Sequence, residues 1–128
     1  MNYYFNKTLQ GTFEEVIDKV SKELKEEGFG ILTEIDIKKT LKEKLDVDFK
    51  KYKIIGACNA PYAYKALQAE DKIGTMLPCN VIVQELGAGT IEVAAVNPMA
   101  SMMAVNNEKL NKVAEEITAK LAKIIKKL

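Results

Sequence analysis

The sequence has no histidine and no tryptophan, and all 19 of its basic residues are lysines. Without an imidazole, the common zinc geometries, Ser-His triads and Cys-His pairs cannot be assembled within one chain. Without a guanidinium there is no planar fork for bidentate recognition of phosphate, carboxylate or guanine, so a dedicated phosphate or base reader is not expected. Charge of one sign is lacking too. The 19 basic residues face 18 acidic ones, a formal net charge of +1, which removes the general electrostatic drive toward nucleic acid or an anionic membrane.

Cysteine is scarce: two residues fall short of a disulfide framework. No apolar run approaches a membrane span, and the opening "MNYYFNKTLQ" lacks the charged-then-apolar pattern of a secretory signal. A cytoplasmic protein with reduced thiols is therefore expected, and the sequon Asn6-Lys7-Thr8 is read as a chance match. With 128 residues and no Pro/Gly/Ser-rich linker, residues 1–128 are expected to form a single domain. "GFG" at 28–30 lacks the remaining glycine of a dinucleotide fingerprint and follows a helix, so no nucleotide cofactor is implied.

What is present is clear periodicity. "NYYFNKTL" alternates as a strand. Phe13, Val16, Ile17, Val20 and Leu24 recur at helical spacing behind Thr12, which has Glu15 three residues on in a capping-box pattern, and Gly28 is a fitting stop. "FGILTEI" reads as a second strand, Asp36 as the cap of a short helix through Leu45, "YKIIGACN" as a third strand and "APYAYKALQ" as a helix with Pro61 in its first turn. "LPCNVIVQEL-GAGT-IEVAAVN" is a hairpin with a Gly-containing turn. From Asn107, Leu110, Val113, Ala114, Ile117, Leu121, Ile124, Ile125 and Leu128 form a long stripe. Its acidic residues come first and its lysines last, as the helix dipole prefers. The order βαβαβαββα predicts an α+β fold, a mainly antiparallel sheet of about five strands with helices on one face.

A three-residue loop Gly87-Ala88-Gly89 with Gly89 left-handed sets Leu86 against Thr90, Val83 against Val93 and Val81 against Ala95. One face of the hairpin then holds Cys79, Val81, Val83, Ile91, Val93 and Ala95. The other holds Asn80, Ile82, Gln84, Glu92, Ala94 and Val96, too apolar for an ordinary solvated face.

Both cysteines are followed by asparagine, Cys58-Asn59 and Cys79-Asn80. Cys58 falls where a strand gives way to a helix, with Asn59 as N-cap, a position where exposed backbone N–H groups favour a thiolate. As small apolar residues, the same cysteines also suit burial at strand ends. "NPMASMMAV" follows, with a short helix starting at Asn97-Pro98 and a flexible thioether surface from Met99, Met102 and Met103. Such methionines fill cores more often than they hold a soft metal such as Cu(I), and no metal or cofactor is expected.

"GFGILTEIDIKKTLKEKLDVDFKKYKIIGACN", "LPCNVIVQEL" and "NP" ahead of a terminal amphipathic helix resemble the small prokaryotic family catalogued as domain of unknown function 302. The resemblance implies a compact α+β domain that occurs as a homodimer, with no established activity. The family commonly has proline directly after the first Cys-Asn, whereas Ala60 intervenes here before Pro61.

Together these features lead to the expectation of a cytoplasmic, homodimeric, non-catalytic module. Its small-molecule ligand would sit in a cleft lined by Cys58, Asn59, Tyr62, Cys79, Asn80 and Asn97, a mix of amides and thiols that can orient a mainly apolar guest. The alternatives are an enzyme with Cys58 or Cys79 as nucleophilic or redox thiol, and a purely structural interaction domain without a pocket.

Overall fold

The computed structural model describes residues 2–128. Strand β1 (Tyr4–Gln10) is followed by helix α1 (Phe13–Glu26), β2 (Gly30–Asp36), α2 (Ile37–Leu45), β3 (Tyr52–Cys58) and α3 (Ala60–Ala69). A 3-10 turn (Asp71–Met76) then leads into the β4 (Cys79–Gly87) and β5 (Thr90–Val96) hairpin, the short α4 (Pro98–Ser101) and the long α5 (Glu108–Lys127). All strand pairs are antiparallel, in the spatial order β1-β5-β4-β3-β2. The α+β architecture expected from the element order is the one observed.

The local signals act as their chemistry requires. Thr12 Oγ1 accepts from the Glu15 amide at 3.1 Å and Asp36 Oδ1 from the Lys39 amide at 3.0 Å, each satisfying one orphan donor of a first helical turn. Asn107 does the same for α5 through the Lys109 amide, while its own Nδ2 donates to the Ala69 carbonyl at 2.7 Å, tying the start of α5 to the end of α3. Asn59 departs from expectation: it occupies the N-cap position of α3 without making a side-chain cap bond. Its amide is used elsewhere, as described below.

The hairpin register is Val81↔Ala95, Ile82↔Ala94 and Val83↔Val93, with Gly89 at φ +78°. One detail differs from expectation. Thr90 pairs with Gly87, and the extra residue Leu86 forms a bulge, because the left-handed Gly89 shortens the turn and shifts the surplus residue into the strand.

The core lies between one face of the sheet and two helices. Ile55, Ala57, Val81, Val83, Ile91, Val93 and Ala95 of the sheet meet Phe13, Val16, Val20 and Leu24 of α1 and Ile117, Leu121, Ile124 and Ile125 of α5. Each of the buried Val, Leu, Ile and Phe side chains contributes roughly 1.5–3 kcal/mol relative to exposure. A smaller cluster of Ala66, Ile73 and Leu110, flanked by Leu77, Met102, Val105 and Val113, sits beside it under α3 and the 3-10 turn. Two of the lysines toward the end of α5 are engaged. Lys123 pairs with Glu27 at 3.1 Å and Lys127 with Glu23 at 3.3 Å, so the basic end of the helix is docked on α1. Among the described residues no helix is long and apolar enough to cross a membrane.

Among the described residues no buried hydrophobic cluster lies on the opposite face of the sheet. Register places Ile35, Ile54, Ile82 and Ala94 in one row across four strands. Ile35 is 45% exposed and the other three are half-buried. The charge in this part of the face is bracketed. Glu92 accepts from Asn6 Nδ2 at 2.9 Å and from Gln84 Nε2 at 2.7 Å, across both neighbouring strands. Tyr3, Tyr4, Tyr52, Asn80 and Val96 complete the walls of a shallow groove of about 400 Å3 here.

Candidate functional site

A narrow slot opens along the seam between the two apolar clusters. Phe29, Ala57, Tyr62, Cys79 and Ile117 contribute from the main core, and Ala66, Leu77, Met102 and Val113 from the satellite. Residues of β3, α3, β4, α4 and α5 converge to make it. The end of β3 and the start of β4 are adjacent because Ala57 pairs with Cys79, and Cys58 is the next residue of β3. α3 departs from Cys58 toward one side. The chain then returns through the 3-10 turn and Pro78 into β4, and α4 projects Met102 from beyond β5. The slot's volume is about 30 Å3, room for one or two water-sized guests.

Of the six residues expected to line a cleft, four do so: Cys58, Asn59, Tyr62 and Cys79. Asn80 does not. Its side chain faces the open side of the sheet, because one step along a strand reverses the face. Asn97 is buried, but as structural glue. Its Oδ1 accepts from the Met99 amide at 3.1 Å, capping α4, and its Nδ2 donates to the Asn2 carbonyl at 3.0 Å. Met102 lines the slot, Met99 and Met102 with Met103 border a separate surface pocket, and Met103 is 72% exposed. Sequence spacing could not single out Met102 from its neighbours.

One polar lining group is already engaged. Asn59 Nδ2 donates to the Glu27 carbonyl at 3.1 Å. The Glu116 carboxylate facing the Tyr62 hydroxyl holds the phenol above its ordinary pKa, with desolvation adding to the rise. Both cysteines are free thiols. Burial, with a smaller effect from the neighbouring Cys58, pushes the Cys79 thiol up to about 11. At neutral pH Cys79 is therefore a neutral thiol, the opposite of what a nucleophile requires.

A five-stranded antiparallel sheet with helices on one face, an uncovered half-apolar face behind, and a small sulfur-lined slot at the sheet end defines a compact α+β module. The family model described as Domain of unknown function DUF302 matches residues 5–128, and the chain belongs to that family. The fold agrees with the crystal structure of an uncharacterized conserved protein DUF302 from Bacillus stearothermophilus. That structure superimposes with a TM-score of 0.90 at 26% identity, over 98% of each chain. No curated protein matches the sequence.

Proposed function

We propose that the protein is a homodimeric binding module of the cytoplasm that holds a small ligand in the slot between Cys58, Tyr62, Cys79 and Met102. The observation that carries this reading is the convergence on one opening of residues from five separate stretches of chain, including both cysteines. A fold under selection for packing alone closes such a seam. Two unbridged thiols suit a reducing compartment.

The dimer reading draws on the uncovered sheet face. The Ile35-Ile54-Ile82-Ala94 row is continuous, and the carboxylate beside it already has two amide donors. On removal of water from this face the Glu92 carboxylate keeps both of these hydrogen bonds. A two-fold interface is the commonest way for a small protein to bury such a surface.

Against a thiol enzyme stands the raised pKa of Cys79. The slot reading is tested by native mass spectrometry of the natively purified protein beside a slot-filling variant, Ala63→Leu. A retained mass in the parent that is absent from a folded variant is the expected result. No retained mass in the parent, or equal retention by both, overturns the reading.

A further inference from the structure

We propose that the sheet-face grooves of two facing copies together enclose a binding site for a small organic ammonium ion, with Glu92 of each copy as its counter-charge. This rests on the dimer reading of the uncovered sheet face and names what that interface holds.

Charge is the first argument. Glu92 is the only charged residue lining the groove. Its cross-strand neighbours are Thr8 and Gln84, and its same-face neighbours along β5 are Thr90 and Ala94, all neutral. Among the described residues no lysine is paired with it. The amides of Asn6 and Gln84 orient both carboxylate oxygens but carry no charge themselves. A second copy laid on this face takes the carboxylate out of water, and an ionised group buried in that way needs an opposite charge. The groove lining supplies none, so the guest must. Each oxygen has one amide donor and keeps acceptor capacity for an ammonium N–H.

Shape is the second argument. Ile82 and Ala94 belong both to the apolar row and to the groove, so a two-fold axis through the middle of the row also passes through the groove. Close to such an axis like faces like. Two concave surfaces do not fill one another, and a well-packed interface tolerates few voids larger than a water molecule. A guest closes the gap. At about 400 Å3 per copy the groove matches sites for organic ligands, which run to roughly 300–1,000 Å3.

The lining is the third argument. Tyr3, Tyr4 and Tyr52 contribute aromatic surface, and Ile82, Ala94 and Val96 contribute aliphatic surface. Register sets Tyr4 beside Val96 and Tyr52 beside Gln84, so tyrosines stand on either side of the strand that carries Glu92. Aromatic rings attract ammonium groups, and the aliphatic surface suits an alkyl body.

The experiment titrates the full chain with butylammonium chloride, using uncharged butanol and anionic butyrate as controls. Binding is read by backbone amide NMR shifts and dimerisation by light scattering across a dilution series. Butylammonium is expected to shift Tyr4, Tyr52, Gln84 and Glu92 and to saturate at about one per chain. It is expected to bind at least about tenfold more tightly than butanol, and butyrate not at all. Near saturation it lowers the dimer dissociation constant by about tenfold. Tyr52→Leu is expected to weaken binding by about two- to fivefold. Glu92→Gln loses the preference for the cation and dimerises more tightly than the parent in amine-free buffer, because it removes the buried charge. Folding of each variant is checked by circular dichroism, and the comparison of butylammonium with butanol on the parent needs no variant. Equal affinity for those two, parental binding in a folded Glu92→Gln, or a dimer insensitive to the amine overturns the proposal and leaves the dimer reading standing. A parent that is monomeric with and without the amine overturns both.

Discussion

The side chain of Asn59 donates from Nδ2 to the main-chain carbonyl of Glu27 across 3.1 Å, joining the start of α3 to the end of α1. The Glu27 carboxylate in turn lies 3.1 Å from Lys123 and 3.8 Å from Lys120 of α5. One residue at the end of α1 thereby connects α1, α3 and α5. Gly28, at φ +90°, follows directly, and a Cβ there would stand 3.2 Å from Asn59 Nδ2. The tight backbone turn is what lets the amide reach its acceptor.

Asn59→Ala leaves that partly buried carbonyl without its donor. A loss of about 1–2 kcal/mol is expected, read as a lower urea midpoint at unchanged slope. Stability equal to the parent would show that water replaces the amide.

Gly56 lies beneath Thr33 in the β2–β3 ladder. A Cβ at Gly56 would collide with Thr33 Oγ1 and stand 2.8 Å from Pro78 Cγ. Gly56→Ala is expected to destabilise by about 1–3 kcal/mol, the usual cost of overpacking. Adding Thr33→Ala should restore part of that loss, since the Pro78 contact persists. A double variant as unstable as the single one would place the strain elsewhere.

Cys79 ties stability to alkaline pH. Its thiol is raised from 9.0 to about 11 in the folded chain, chiefly by burial. Between those values the folded state binds the proton more tightly than the unfolded state does. The contribution is therefore complete below pH 9 and lost as pH rises through about 11, with a total of roughly 2–3 kcal/mol. The fall in unfolding free energy of the parent between pH 8 and about 11 should be shallower in Cys79→Ala. The comparison with the variant subtracts the tyrosines and lysines that titrate in the same range. Identical pH profiles would contradict the assigned burial.

Ile82 sits in the middle of the apolar row on the uncovered face, between Ile54 and Ala94. Ile82→Lys puts a charge at the centre of the proposed dimer interface. The parent is expected to run as a dimer and the variant as a folded monomer in size-exclusion chromatography with light scattering. A folded dimeric variant, or a parent that is monomeric at micromolar concentration, refutes the interface.

Features governed by short-range chemistry were legible in the chain. Thr12 and Asp36 cap their helices because each has a helix-forming run directly behind it and an amide three residues on. The hairpin pairs Val83 with Val93 because alternation and a left-handed Gly89 leave few other registers. The same alternation marked Ile82, Ala94 and Val96 as a second half-apolar face, and the docked side of α5 followed from its stripe of leucines and isoleucines.

Other features were decided only when distant segments met. Asn59 looked like a cap, yet its amide found the Glu27 carbonyl, 32 residues back in the chain, because α1 ends against the start of α3. Asn80 and Asn97 shared the composition of a binding cleft, but strand alternation turned the first to the open face and a capping bond absorbed the second. Met102 was chosen over Met99 and Met103 by where α4 ends against the seam. Ile54 and Ile35 joined the row begun by Ile82 and Ala94 only through the β2–β3–β4 pairing, which no local pattern specifies. The chain by itself determined which residues form strands, helices and turns, because those choices are settled within a few residues by periodicity and hydrogen-bonding capacity. Tertiary packing decided which side chains became free to act, because that depends on which polar groups find partners across the fold and where two apolar clusters fail to close.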